Sequence, residues 1–344
     1  MTTPDPLTTD LVLEGGGVKG LALVGAVEVL GDAGYTFARV GGTSAGALVG
    51  AVVAALQVRG EDLEVLRDIA LSLDYRKFRD RGLPLDPPGP LGLLADAVSV
   101  VVEEGAYEGD YLRDWLRGVL TDLGVRTFGD LRRHDEGDDG GVHHRYGLVV
   151  TATDLSRRRL VKLPWDYPDY GLDPDAQDVV DAVRASASIP FFYEPVQLRG
   201  AHGTATLVDG GLVSNYPVSI FDREDGRVPR WPTIGVRLDA LNLSRDRAVQ
   251  RVRGPVAMGV ALVATAIEAC QAEHVLSPAN VARSITVSTD QVSAIDFGLS
   301  REEQLELRRA GAEAAEQFLA VWGWDAWLRA YRGGGSSPHD VPPR

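Results

Sequence analysis

The stretch LVLEGGGVKG, Leu11–Gly20, sets three consecutive glycines directly after a short apolar run. LVL reads as a buried strand, and GGG as a turn whose backbone N–H groups can face something negative at the start of a helix. LALVGAVEVLGDAG, from Leu21, is that helix, with Gly34 as a C-cap candidate. YTFARVGG, from Tyr35, is a second strand, and TSAGALVGAVVAAL, from Thr43, is an apolar helix that follows it without a spacer. Strand–helix–strand–helix with short connections is the pattern of a parallel sheet wrapped by helices. The anion remains open at this point. Gly15, Gly17 and Gly20 satisfy G-x-G-x-x-G, a nucleotide-phosphate fingerprint, but an oxyanion formed during acyl transfer would want the same N–H groups.

Composition narrows the partners. The chain has 344 residues, 44% hydrophobic and 24% charged, which is ordinary globular usage. With 35 basic against 49 acidic residues its net charge is −14. So acidic a chain is not expected to bind nucleic acid, which relies on basic patches, nor to dock on anionic lipid through charge alone. Cys270 is the only cysteine, so no intrachain disulfide and no thiolate metal site is expected. The start, MTTPDPLTTD, lacks the basic and apolar regions of a signal peptide. The longest apolar runs, Ala45–Leu56 and Val256–Ala269, are too short to span a bilayer and read as buried helices. The expectation is a cytoplasmic protein without a transmembrane segment, a signal-independent export route staying open.

The rest of the chain is organised as one domain from about residue 10 to 331, with loose tails at 1–9 and 332–344. Residues 61–80 form a charged helix candidate, and RGLPLDPPGP, Arg81–Pro90, is irregular. The following segment to Gly124 is mostly helical by periodicity, and 132–145 is a polar loop. RYGLVVTATDL and RRRLVKLPW pair as a hairpin, DVVDAVRASASIP is a helix ending at Pro190, and TATLVDGG is a strand entering another glycine turn. TIGVRLDA is a later strand, and 255–276 and 300–331 are helical.

The second glycine turn carries more chemistry than the first. Gly42-Thr43-Ser44-Ala45-Gly46 is G-x-S-x-G between a strand and a helix, the setting in which a serine is held on a sharp turn with its Oγ exposed. The plain alternative is a helix N-cap serine. A nucleophile needs a base. His134, His143, His144, His202, His274 and His339 all lie in loops, a tail, a hairpin turn or near a helix end, so they read as surface residues. Asp209 instead sits at a strand end before Gly210 and Gly211, where burial would raise a carboxylate pKa toward working pH. The alternative is that Asp-Gly-Gly is only a turn. Gly15, Gly16 and Gly17 would then supply N–H groups to an oxyanion.

Taken together, Gly15–Gly20, Gly42–Gly46 and Asp209–Gly211 resemble the patatin-like phospholipase family. ASASIPFFYEPV, Ala185–Val196, YEGDYLRDWL and VSAIDFGLS are similar to further segments of that family, so the resemblance runs from about residue 10 to 320. It implies an α/β fold, three-layer α/β/α around a central, mostly parallel sheet. It implies a serine lipid acyl hydrolase working through a Ser-Asp dyad, with Ser44 the nucleophile and Asp209 the base. Gly15, Gly16 and Gly17 would be the oxyanion donors, assisted by the Ala45 N–H. No cofactor or metal is implied, and the partners are a lipid or acyl ester and a transient membrane surface. Lys19 reads either as added positive potential beside the anion or as a solvated first-turn lysine. Asp154, a rival acid, reads as structural, and Asn215 as ordering the turn after Asp209. Glu14 departs from the Asp or Gly usual before the glycines, with little expected consequence. The segment 78–108, rich in Pro and Leu, is a lid or acyl-wall candidate or an ordinarily packed insertion. Two other classes stand beside this reading: an interaction or regulatory protein on the same scaffold, and a nucleotide binder. The last lacks an acidic residue at the end of the second strand and a Walker Lys-Ser/Thr.

Overall fold

A computed structural model describes residues 7–78, 109–133, 145–223, 225, 227–239, 277–289 and 297–332, with 254, 258–259, 261–263, 265–266, 292 and 294. The lid candidate beyond Phe78, most of the helix expected at 255–276, Cys270, five of the six histidines and the outer parts of both tails lie outside the described residues.

In chain order the elements are β1 (Thr8–Leu13), α1 (Gly20–Asp32), β2 (Thr36–Thr43), α2 (Ala45–Arg59), α3 (Val65–Ser72), α4 (Asp110–Asp122), β3 (Leu148–Asp154) and β4 (Arg159–Leu163). They continue with α5 (Val179–Ser186), β5 (Val196–Gly200), β6 (Gly203–Asp209), β7 (Thr233–Asp239), α6 (Pro278–Ala282), β8 (Ser284–Ser288), α7 (Arg301–Leu319) and α8 (Trp324–Tyr331). The helix expected over 61–80 is shorter. It stops at Ser72 because Leu73 turns extended, with φ −72° and ψ 117°, and a 3-10 turn follows at Tyr75–Phe78.

Five strands run parallel in the order β8–β7–β1–β2–β3, and β4, β5 and β6 add antiparallel pairings at the β3 side. The sheet is therefore mixed, with helices flanking it. β1 is buried on both faces, as expected of a central parallel strand. Leu11 and Leu13 point into the large core under the helices, whereas Val12 packs on the opposite face with Val149, Tyr216, Val218 and Phe221. Between β1 and β2 a buried ion pair joins register neighbours: Arg39 Nε donates to Asp10 Oδ1 at 2.8 Å, and the guanidinium lies 4.5 Å from the Phe221 ring.

One pairing pattern positions the site. Val150 of β3 pairs with Gly42 of β2 and with Leu163 of β4, whereas Ala152 pairs with Asp209 of β6 and Val161 of β4. A strand has two edges, so β4 occupies one and β2 and β6 divide the other. β2 runs with β3 and β6 against it. Their C-terminal ends therefore meet head to head at Thr151–Ala152.

α1 is buried almost all round because α7 covers it. The two helices cross backbone to backbone: a Cβ on Gly25 would fall 1.9 Å from the Arg308 carbonyl oxygen, and one on Gly311 1.9 Å from that of Ala22. We expect Gly311→Ala to cost about 2–3 kcal/mol in a denaturant titration, an overpacking penalty that no side-chain rotation can relieve. Gly118→Ala, on an exposed helix position with nothing within 4 Å of the new Cβ, should instead stabilise by about 0.5–1 kcal/mol.

Candidate active site

The first glycine turn is clamped from below. The Glu14 carboxylate is buried, accepting the Leu238 backbone N–H through Oε2 and, at 3.2 Å, the Asn215 side-chain amide through Oε1. Asn215 also donates to the Gly15 carbonyl at 3.0 Å. The substitution at Glu14 thus has a consequence that the sequence did not suggest, because its longer side chain reaches β7. Asn215 orders the opening loop rather than only its own turn. Gly17 has φ +57°, and a Cβ there would lie 1.9 Å from the Ala294 carbonyl oxygen, so no other residue fits.

The three glycine N–H groups are not equivalent. That of Gly15 donates to the Asn215 carbonyl at 3.0 Å, which removes it from any set of oxyanion donors. Those of Gly16 and Gly17 have no hydrogen-bond acceptor among the described residues. Lys19 is 7% exposed, so it is not a solvated surface lysine.

Ser44 joins β2 to α2 with φ 51° and ψ −118°, a conformation that costs a non-glycine residue of order 1–3 kcal/mol. The glycines two before and two after make the turn possible. A Cβ at Gly42 would lie 2.4 Å from the Gly46 carbonyl, and one at Gly46 would lie 2.2 Å from the Leu13 carbonyl oxygen. Although Ser44 holds the N-cap position of α2, its side chain makes no capping bond. The cap reading fails on that point, because the hydroxyl is turned elsewhere. It lies close enough to the Asp209 carboxylate to favour its charged form.

Asp209 ends β6 and is 4% exposed. Its Oδ1 accepts the Gly211 N–H at 2.7 Å. Burial pushes its pKa up from 3.8 to about 6, and the Gly211 N–H and the Ser44 hydroxyl pull it partly back. The carboxylate therefore stands beside the hydroxyl with a pKa lifted toward neutrality.

A polar frame holds the pair, and most of it was missed from the sequence. The Ser44 backbone N–H donates to Ser186 Oγ at 2.8 Å, and the Ser186 hydroxyl donates to the Thr151 carbonyl at 2.6 Å. Thr43 and Thr151 share a hydroxyl–hydroxyl bond of 2.6 Å, and the Thr153 hydroxyl holds the Asp209 carbonyl at 3.0 Å. The Asp209 N–H donates to the Ser188 carbonyl at 2.8 Å. Ser186 and Ser188 lie in the ASASIP segment noted above, whose order carried the only signal. The threonines gave none. Asp154, the rival acid, is fully buried and spent: it accepts the Tyr170 hydroxyl at 2.6 Å and the Arg157 N–H at 3.0 Å. His202, the one histidine among the described residues, is exposed in the β5–β6 turn. Among the described residues no cluster of side chains could hold a metal ion, and no helix is long and apolar enough to cross a membrane.

A family model described as patatin-like phospholipase matches residues 11–222, from the first strand through both glycine turns to just past Asp209. The chain belongs to the patatin-like phospholipase family. This patatin-like chain is 37% identical over 315 residues to the uncharacterized protein YqhO of Bacillus subtilis, covering 91% of itself and 98% of that protein. It is 28% identical over 219 residues to the uncharacterized NTE family protein Rv2565 of Mycobacterium tuberculosis, covering 63% of itself and 29% of that longer chain. Its fold is similar to that of VipD from Legionella pneumophila, with a TM-score of 0.50 at 16% identity over 92% of this chain and 67% of that one. Family membership supports a lipase-type hydrolase as the general class.

Ser186 carries a prediction of its own. Ser186→Ala deprives the Ser44 N–H and the Thr151 carbonyl of their buried partner, so we expect a loss of about 1–3 kcal/mol in unfolding free energy. Labelling of the remaining folded protein by a fluorophosphonate should slow as well, because the elbow loses one of its supports.

Proposed function

We propose that this patatin-like chain is a serine lipid acyl hydrolase that cleaves carboxylic esters of phospholipids or related lipids through an acyl-Ser44 intermediate. The observation that carries this reading is the meeting of the β2 and β6 ends on β3, which brings Ser44, at the strained N-terminus of α2, beside the buried Asp209 carboxylate, whose pKa burial raises. Asp209 accepts the Ser44 proton as Oγ attacks the ester carbonyl. The charge that develops on the carbonyl oxygen is taken by the Gly16 and Gly17 N–H groups and by that of Ala45, the first residue of α2. As the tetrahedral intermediate collapses, protonated Asp209 returns its proton to the departing alcohol. A water molecule then enters, Asp209 takes one of its protons as the water oxygen adds to the acyl carbonyl, and on collapse Asp209 returns that proton to Ser44 Oγ, freeing the fatty acid and restoring the carboxylate. Losing one oxyanion donor of this kind lowers kcat by about 10²–10³. Lys19 adds positive potential behind the loop.

The same residues would serve acyl transfer to an acceptor other than water, but an apolar pocket beside Ser44 favours a fatty-acyl substrate. Ser44→Ala and Asp209→Asn should each abolish hydrolysis of a p-nitrophenyl acyl ester. Retained activity in Asp209→Asn would remove the aspartate from the mechanism. The base acts only when ionised, so kcat/KM should fall about tenfold per unit below an apparent pKa of about 6 and level off above it.

Stability should run the other way. Asp209 has a folded pKa above its unfolded value, so the native state holds the extra proton between about 3.8 and 6. Stability is therefore lost as pH rises through that window. A shift of two units corresponds to about 3 kcal/mol. Asp209→Asn removes this loss, and urea titrations at pH 8 should find the dead variant more stable than the parent. Equal or lower stability would mean that the carboxylate is not under desolvation stress.

A further inference from the structure

We propose that α1, α2 and α3 form an acyl-chain ruler floored by Val24, Val52 and Leu66, which restricts the substrate to esters of one medium-length acyl chain. The inference rests on the reading of Ser44 as the nucleophile. It starts from an apolar pocket that Ser44 and Gly17 help to line.

Each wall is a helix face that descends from the dyad. On α2, Ala45, Leu48, Val49 and Val52 line the pocket in turn. Their spacing is that of one helix face, and seven residues carry it about 10 Å from Ala45 to Val52. On α3 the direction is reversed. Leu73, just past its end, lies at the mouth, and Leu66, seven residues earlier, is again about 10 Å away. On α1 the series is Gly20, Leu21 and Val24. The ends belong to different parts of the interior. Leu21, Leu73, Tyr75, Tyr193 and Phe297 pack together around the mouth. Val24, Val52 and Leu66 belong instead to the main core, which makes them the floor of the ruler.

Depth then converts to length. Carbon–carbon bonds of about 1.52 Å meeting at about 111° advance about 1.25 Å per carbon, so about 10 Å holds roughly eight carbons beyond the ester carbonyl. Every lining residue beyond Ser44 on α2 is apolar, so each added methylene gains burial until the floor is met. Carbons past it must bend back toward water or displace three core residues that have no room to yield.

The test is a kcat/KM series on p-nitrophenyl esters of increasing acyl length. For the parent protein we expect a gain of roughly fourfold per methylene, a maximum near eight to ten carbons, and a fall of at least about tenfold by sixteen. Val52→Ala and Leu66→Ala lower the floor and should move the maximum to longer chains, by about two carbons for the first. Val49→Phe fills the middle and should move it to shorter ones. Because Leu66→Ala endangers folding, Val52→Ala and Val49→Phe decide the matter. A profile that stays flat to sixteen carbons, or a maximum that neither of these two variants moves, overturns the ruler while leaving the hydrolase intact. Absence of hydrolysis at every length, with no fluorophosphonate labelling of Ser44, overturns the parent reading and the ruler with it.

Discussion

The structure depends on a shared edge. β3 lends the first half of one edge to β2 and the second half to β6, and because these two run in opposite directions their ends collide. The collision sets a serine and an aspartate that lie far apart in the chain side by side. No loop has to reach across a cleft to build the pair. It is fixed by sheet hydrogen bonds on three strands, and that gives the positional precision the proposed chemistry would need. Since the register of β3 sets both neighbours at once, a one-residue slip of either β2 or β6 would turn its functional residue to the other face.

Such a junction is expensive. It stores a non-glycine residue at positive φ, a desolvated carboxylate and several backbone groups at strand ends that have run out of ladder partners. The polar frame answers the last of these. Ser186 serves the Ser44 N–H and the Thr151 carbonyl together, and Thr153 and Ser188 hold both backbone groups of Asp209. The remaining strain is carried by the apolar body below, where α1 is gripped between the sheet side and α7 through glycine contacts. A strained site on an overdetermined scaffold is a stable arrangement, because local relaxation would have to break the core.

What was legible in the sequence follows from the same physics. Glycine is demanded wherever backbones touch, so Gly15–Gly20 and Gly42–Gly46 announce themselves through spacing, and apolar runs between them mark buried strands and helices. Asp209 was only half legible: a turn explains Asp-Gly-Gly equally well, and burial of its carboxylate depends on strand pairing that no local window contains. The contacts of Glu14 were not legible because its partner, Leu238, lies 224 residues further on in the chain. Gly15 was grouped with its two neighbours as a donor, yet its N–H is taken by Asn215. Consecutive N–H groups in one turn point in different directions, and only coordinates say which are occupied. Ser186 carried no signal beyond its place in a matched segment, since a small buried hydroxyl looks the same in sequence whether it bridges two strands or fills a gap.

Charge conservation bears on the opening question, which anion the glycine loop serves. Asp209 already brings one negative charge into a buried place. A bound phosphate would add a second, permanent one beside it and an apolar pocket, a costlier burial than that of a neutral group. A neutral ester adds none. Under the proposed chemistry Asp209 is neutralised by the Ser44 proton as the charge appears on the carbonyl oxygen, so the reacting groups carry a single negative charge from start to finish. The Gly16, Gly17 and Ala45 N–H groups meet that charge only at its second address, which is the differential that lowers a barrier. A histidine base would instead create a cation and an anion together in a dry cleft, and would need a further carboxylate to steady it. Two residues suffice here because the acid that takes the proton is itself the source of the charge.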